Sequence, residues 1–417
     1  MKISDIKPEV YEMAERAMKK IGNEFEKIDA VAMHNTRKVM EAFQDNRVSD
    51  ACFAGTTGYG YDDLGRETLD KIYAQVFGTE AALVRIGFVN GTHALTCAMF
   101  ATVKPGDVIL SVTGTPYDTL RNAIGIAGDC HGSLKFYGVD YAEVTLKADS
   151  SPDYEGIEKA ASEKRVAAVM VQRSRGYDDR RALTVDEIGR ICDSVKKVNP
   201  KAVVMVDNCY GEFTDVIEPS NAGADIIAGS LIKNPGGGIA PTGGYIAGKK
   251  ELVECAAMRM TTPGIGGECG STLGNNRLLF QGLFMAPHTV AQAMKTAVFC
   301  AAMMDEMGLE SSPKYNEKRS DIIQMIRLGS EENMKRFCLG IQSGAPVDSY
   351  VTPEPWPMPG YNCPVIMAAG AFIQGSSIEL SADGPVREPY IAYMQGGLTF
   401  ESGKLGIMMA ASAMIGE

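Results

Sequence analysis

Short apolar runs alternate with amphipathic stretches along much of the chain. Residues 9–45 carry apolar side chains at three- and four-residue steps, among them Phe25, Ile28, Val31, Val39, Met40 and Phe43, which predicts helix. A further helix is expected from about Arg66 to Phe77, and Ala81-Ala-Leu-Val-Arg follows it as an apolar stretch. Asn90-Gly91-Thr92-His93 then opens a helix through Leu95-Thr-Cys-Ala-Met-Phe-Ala. Asp107-Val-Ile-Leu-Ser-Val, Val166-Ala-Ala-Val-Met-Val171, Ala202-Val-Val-Met-Val206 and the run Ile226 to Ala228 read as strands. Thr184-x-x-Glu187 is a capping box that starts a helix running to about Val198. Strand and helix in alternation predict an α/β fold, a mostly parallel sheet covered by helices on both faces.

The pattern changes beyond this region. Gly282 to Gly308 is rich in Ala and Met and poor in charge, and reads as a long buried helix linking two domains. Asp321 to Phe337 looks helical. Pro353, Pro355, Pro357, Pro359 and Pro364 make a rigid irregular loop. Ala371-Phe-Ile, Ser377-Ile-Glu-Leu-Ser and Tyr390-Ile-Ala-Tyr-Met read as strands or a strand–helix mix. The expected organisation is an N-terminal helical arm over 1–57, a large α/β domain over 58–281, a connecting helix over 282–310 and a small α+β domain over 311–417.

Composition narrows the function. With 45% hydrophobic and 22% charged residues the chain is of ordinary soluble globular type. A net charge of −11 argues against nucleic acid and against anionic membrane surfaces as partners. No apolar run reaches the ~18 residues of a membrane span. The N-terminus has mixed charge and no apolar core of a signal peptide, so a cytoplasmic protein is expected. Ten cysteines without a Cys-x-x-Cys pair suit a reducing compartment, and four histidines without ligand spacing give a metal site no support.

The candidate chemistry lies in Ala224-Asp-Ile-Ile-Ala-Gly-Ser230-Leu-Ile-Lys233-Asn-Pro-Gly-Gly-Gly. A lysine between an apolar strand and a glycine-rich loop is a candidate Schiff-base nucleophile, although a surface lysine before a flexible loop reads the same way. The preceding strand ends in Asp207. Acids at the ends of buried strands stand where α/β sheets place ligands. Pyridoxal phosphate needs both groups: a lysine that holds its aldehyde and a carboxylate that keeps its pyridine nitrogen protonated. Gly91-Thr92 at a helix start offers free N–H groups to a phosphate, as a plain N-cap also would.

Val-Asp207-Asn and Gly-Ser230-x-x-Lys233 resemble the fold-type-I pyridoxal phosphate enzymes of the cystathionine/methionine γ-lyase branch. The run Lys-Asn-Pro-Gly-Gly-Gly-Ile-Ala-Pro-Thr-Gly-Gly-Tyr is most similar to the methionine γ-lyase-like proteins sometimes labelled aluminium resistance proteins. The resemblance runs from about Gly58 to the C-terminus. It implies a pyridoxal phosphate-dependent transferase-like fold, with Lys233 bonded to the cofactor and Asp207 at its pyridine nitrogen. It also implies that Ser230 and the amides of Asn90, Gly91 and Thr92 bind the phosphate, and that Tyr117 stacks on the ring and protonates a departing sulfur. Tyr61 would reach the phosphate of a neighbouring subunit, which makes a homodimer or homotetramer with shared active sites the expected assembly. Arg387, in Ser381-Ala-Asp-Gly-Pro-Val-Arg387, would bind the substrate carboxylate through its planar fork. His93 either faces the ring or caps and packs; Tyr117 could be a turn aromatic and Arg387 a salt-bridge residue.

Three positions depart from that family. Asp63 stands where an arginine is usual, leaving Arg66 or Arg259 to supply the phosphate with a cation. Thr119 replaces the cysteine of methionine γ-lyases, which puts methionine in doubt as substrate. Gln172-Arg173-Ser174-Arg175-Gly176-Tyr177 replaces the loop that meets the cofactor's 3-hydroxyl. The expected activity is a carbon–sulfur lyase on an amino acid of the cystathionine, methionine or cysteine type, by β- or γ-elimination. The same cofactor also serves transaminases, racemases and aldolases. A reading of another class is a non-catalytic, cofactor-holding stress or metal-tolerance protein, which turnover of these amino acids would exclude.

Overall fold

A computed structural model describes residues 1–128, 130–358 and 363–415; Pro359 of the expected proline loop lies outside them. The chain divides into two compact units, Met1–His34 with Met285–Glu417, and Asn35–Phe284. The expected large domain, 58–281, lies within the second unit.

Residues 9–45 fall in one unbroken helix, α1 (Pro8–Asp45). Val10, Ala14, Ala17 and Ile21 recur on one face at helical spacing and are buried in the core of the first unit with Phe299, Met303, Phe337 and Ile407.

In the second unit follow α2 (Leu64–Val76), β1 (Ala81–Arg85), α3 (Gly91–Thr102), β2 (Val108–Ser111), α4 (Asp118–Ile124), β3 (Asp140–Glu143), α5 (Tyr154–Ala161), β4 (Val166–Gln172), α6 (Val185–Val198), β5 (Val203–Asp207), β6 (Ile226–Ser230), β7 (Gly244–Gly248) and α7 (Lys250–Met260). The seven strands form one sheet in the order β1-β7-β6-β5-β4-β2-β3. The strands from β6 to β3 in that order run parallel, and β7 is antiparallel to both neighbours. β4 and β5 are almost continuous apolar runs because a parallel strand covered on both faces has no solvent side. The capping box of α6 is formed: Glu187 N donates to Thr184 Oγ1 at 3.2 Å, and Thr184 N donates to Glu187 Oε2 at 3.0 Å. β7 lies in the glycine-rich segment after Lys233, where composition pointed only to loop. Its Tyr245, Ile246 and Ala247 are fully buried.

Helix α8 (Asn276–Glu306) crosses the boundary between the units and carries Pro287 inside it. The rest of the first unit holds β8 (Ser311–Ser312), β9 (Ile323–Arg327), α9 (Glu331–Ser343), β10 (Val365–Ala369), β11 (Ser381–Pro385), β12 (Ile391–Gln395) and α10 (Phe400–Ile415). Its sheet is antiparallel, in the order β10-β11-β12-β9-β8.

Two expectations are corrected here. The helix expected over Asp321–Phe337 is a strand followed by a helix. Ile323 and Ile326 are β-branched and buried in the sheet, and Ser330 caps α9 by accepting from Asn333 N at 3.1 Å. Ala371-Phe-Ile is a turn, not a strand, because Glu379 accepts from the backbone N–H of Phe372 and Ile373 at 2.8 and 3.0 Å. The segment Ser377–Ser381 only enters β11 at its last residue.

Gly340 of α9 faces α10 so closely that a Cβ there would lie 2.3 Å from Ala410 Cα. Gly340→Ala should lower stability by about 1–3 kcal/mol through overpacking. A urea midpoint equal to that of the wild type would show that the two helices separate at no cost.

Candidate active site

The carboxyl ends of the central strands bring the candidate residues together. β5 ends at Asp207, opposite Gln172 of β4 and Ala228 of β6. β6 continues to Ser230, and the turn that follows carries Lys233. This turn is packed rather than flexible: Asn234 is fully buried and its Nδ2 donates to the carbonyl of Glu212 at 2.9 Å. Lys233 is therefore not a solvated surface lysine.

Asp207 is 4% exposed. Burial raises its pKa, while the charge of Lys233 and the N–H of Cys209, which donates to Oδ1 at 3.1 Å, pull the other way. For Lys233, burial disfavours the charge, but Cys209, Tyr210 and Asp207 outweigh it, and the pKa is raised. A lysine and a carboxylate thus interact at the ends of two adjacent strands.

Ser230 is 1% exposed and its Oγ has no hydrogen-bond partner. An orphan buried hydroxyl is costly unless a ligand completes it. The N-terminus of α3 lies against it: a Cβ on Gly91 would stand 3.2 Å from Ser230 Cβ and 3.6 Å from Cys209 Sγ. A side chain at that position would crowd Ser230. Asn90 caps the helix, its side chain accepting from His93 N at 2.8 Å. The free N–H groups and the positive end of the α3 dipole suit a phosphate.

Tyr117 precedes α4 and is half-buried. Its hydroxyl lies 3.3 Å from Thr92 Oγ1, which in turn lies 3.2 Å from Thr119 Oγ1. Its backbone N–H donates to Gln172 Oε1 at 3.3 Å, so the loop that departs from the family fixes this tyrosine. Burial, then Asp207 and Cys209, raise the Tyr117 pKa, so the phenol stays protonated. His93 packs edge-on to Phe88 and accepts from Val89 N at 3.3 Å through Nδ1; burial and then Arg259 lower its pKa.

Tyr61 stands on an exposed loop, 57% accessible, with its ring 5.8 Å from that of Tyr59. Asp63 caps α2, accepting from Arg66 N at 2.9 Å, Thr272 Oγ1 at 2.6 Å and Asn276 Nδ2 at 3.0 Å. The guanidinium of Arg66 is spent on the carbonyls of Gly60, Gly270 and Glu268 at 2.5, 2.9 and 3.1 Å, which makes it a loop staple. Arg259 is exposed and lies 4.0 Å over the Phe100 ring. Arg387 is exposed in the first unit, just after β11. A separate cavity of about 400 Å³, lined by Arg66, Arg85, Met260 and Thr272 among others, contains none of Asp207, Ser230 or Lys233.

Sequence reasoning missed a buried polar group beneath this site. Arg173 is fully buried; Nη1 donates to Asn208 Oδ1 at 2.7 Å and lies 3.4 Å from Glu218 Oε2, and Nη2 donates to Thr214 at 3.1 Å. Glu212 is also fully buried and accepts from Tyr245 Oη at 2.9 Å; burial pushes its pKa up to about 8. The available signal was the string Asp207-Asn-Cys-Tyr-Gly-Glu-Phe, in which polar residues and a glycine follow directly on a buried strand. Among the described residues no group of three or more His, Cys, Asp or Glu could hold a metal ion, and no helix is long and apolar enough to cross a membrane.

This sheet order, with a lysine and a carboxylate near the strand ends, is that of fold type I of the pyridoxal phosphate-dependent proteins. The chain belongs to the methionine gamma-lyase family, whose profile matches residues 10–415. It is 47% identical over 389 residues to the uncharacterized protein YnbB of Bacillus subtilis (strain 168), covering 93% of this chain and 92% of that one. It is 53% identical to a carbon-sulfur lyase involved in aluminum resistance from Clostridium novyi NT, whose crystal structure superposes with a TM-score of 0.95 over 98% of this chain and 96% of that one. The L-methionine gamma-lyase of Pseudomonas putida is 25% identical over 292 residues, 66% of each chain.

Membership of this family implies pyridoxal 5'-phosphate as the cofactor. The residues present fit it: an orphan hydroxyl at Ser230 beside a helix N-terminus for the phosphate, and a lysine–carboxylate pair for the ring. Ser230→Ala separates ligand from scaffold. It should leave the cofactor-free protein as stable as the wild type or more so, because a buried orphan is removed, while pyridoxal phosphate binds about tenfold or more weakly. Thermal melts and absorbance titration read the two effects; unchanged affinity would remove Ser230 from the phosphate site.

Proposed function

We propose that the protein is a pyridoxal phosphate-dependent carbon–sulfur lyase that cleaves a thiol from a sulfur-containing amino acid. The observation that carries this reading is the Asp207–Lys233 pair beside the Ser230 and α3 phosphate cradle. The name of the Clostridium novyi relative, a carbon-sulfur lyase, supports it.

When bound, the cofactor supplies an electron sink that stabilises negative charge at the substrate's α carbon. The residues of the chain divide the remaining work. Asp207 would hold positive charge on the ring nitrogen, which a buried carboxylate does strongly because little water screens it. Lys233 would hold the cofactor, and its free amine would take the α proton. Tyr117, kept protonated by burial, delivers a proton to the departing sulfur. Thr92 and Thr119 orient that phenol through their hydroxyls. We further propose that Tyr61, on its exposed loop, completes the site of a neighbouring subunit in a homodimer or larger homo-oligomer.

Incubation with cystathionine, cysteine and methionine tests the reading. At least one should yield thiol, ammonia and a 2-oxo acid in equal amounts, with pyruvate marking β-elimination and 2-oxobutyrate γ-elimination. Tyr117→Phe should lower turnover by about 10²–10⁴-fold, the usual weight of one general acid. Amino-group transfer or racemisation without thiol release would overturn the assignment.

A further inference from the structure

Tyr210 packs against the reactive amine through its ring face. The Lys233 Nζ lies over the Tyr210 ring, 3.7 Å from its centroid. That is well inside the range at which an aromatic face attracts an ammonium. Tyr210 also has a left-handed backbone, with φ of +70°. A bulky aromatic rarely adopts that conformation, and residues forced into it gather at functional sites.

The surroundings hold it there. Asn208 N donates to the Ala228 carbonyl at 3.0 Å, and Gly211 N to the Asn208 carbonyl at 3.0 Å, which closes the loop around Tyr210. Beneath, Arg173 grips Asn208 and Thr214. From the other side, Asn234, the residue after Lys233, donates to the carbonyl of Glu212. The loop that carries Tyr210 and the turn that carries Lys233 are therefore tied to each other. A left-handed tyrosine fixed on both sides is a costly way to fill space and an effective way to aim a ring.

We propose that Tyr210 is a positioning residue for Lys233, its ring face seating the lysine nitrogen and favouring the charged form of that nitrogen. This rests on the reading of Lys233 as the cofactor lysine and adds to it a means of returning the amine to one place after each displacement. The other titratable groups that act on Lys233 are Asp207, Cys209, Tyr117 and Glu212. Asp207 is the permanent counter-charge among them. The hydroxyl of Tyr210 also acts on Lys233, and the ring face adds an attraction separate from it.

The same nitrogen carries the cofactor link, so its proton affinity can be read in the loaded protein. The protein is reconstituted with pyridoxal phosphate and its visible absorbance titrated with pH. A face that stabilises the cation raises the pKa of the link; the protonated form is present below that pKa and lost above it. Tyr210→Phe keeps the face and should titrate as wild type. Tyr210→Asn and Tyr210→Leu remove it and should titrate about half a unit to one unit lower. Asparagine tolerates the left-handed backbone, so Tyr210→Asn should melt no lower than wild type while its titration still moves, which a purely structural role would not produce. A wild-type titration in Tyr210→Asn or in Tyr210→Leu overturns the proposal. So does an equal shift in Tyr210→Phe, which would assign the effect to the hydroxyl. A wild-type protein that forms no link with pyridoxal phosphate sinks the functional reading as well, whereas a link that is indifferent to Tyr210 sinks only this one.

Discussion

A carboxylate at the end of a buried strand has to be balanced, and in this protein the balance is struck with the amine of the neighbouring turn. Asp207 is held almost out of water, where an unpaired charge is costly. Lys233 meets it from the end of the adjacent strand. Each group on its own is destabilising in that place; together they offset each other's charge. The parallel sheet makes this possible by ending β4 and β5 at one level, with β6 running on to Ser230 before the turn that carries Lys233. The buried Arg173, Asn208 and Glu218 group below keeps the end of β5 from adjusting. A buried network of this kind specifies one geometry when its members are satisfied.

The departures from the family gain a physical explanation from the fold. Asp63 cannot serve the phosphate because it caps α2 and collects hydroxyl and amide donors around itself. An arginine there would leave those donors without an acceptor. Thr119 joins the chain of hydroxyls that runs through Thr92 to Tyr117, so the place of a nucleophilic thiol is taken by a group that only orients. Gln172, in the segment that replaces the family's 3-hydroxyl loop, holds the backbone of Tyr117. These three changes act on how the phosphate and the leaving group are held, while the lysine–aspartate pair is left as the family has it.

Much of the larger unit was legible because parallel strands read as unbroken apolar runs and helices announce themselves by their caps, as Thr184 and Glu187 do. β7 was not legible: glycines at 243 and 244 resemble loop, and only burial between β1 and β6 makes Tyr245-Ile-Ala a strand. β9 was taken for helix because a strand buried on both faces and a buried helix share an apolar composition over so short a span. In the site, Lys233 and Asp207 could be named because each follows an apolar strand, and Ser230 through the family resemblance. Tyr210 could not, since its importance comes from a backbone angle and a ring orientation that no composition records. Glu212 and Arg173 were hidden for the opposite reason: charged residues are expected at the surface, and these two are among the most deeply buried side chains.

The claim at the centre of this account is that one particular lysine carries the cofactor. Reduction of the pyridoxal phosphate-loaded protein with sodium borohydride, followed by digestion and mass mapping, reads that directly. The account predicts a single reduced pyridoxyl phosphate adduct, on the peptide that contains Lys233. An adduct on another lysine, or none on a protein that has bound the cofactor, would contradict it.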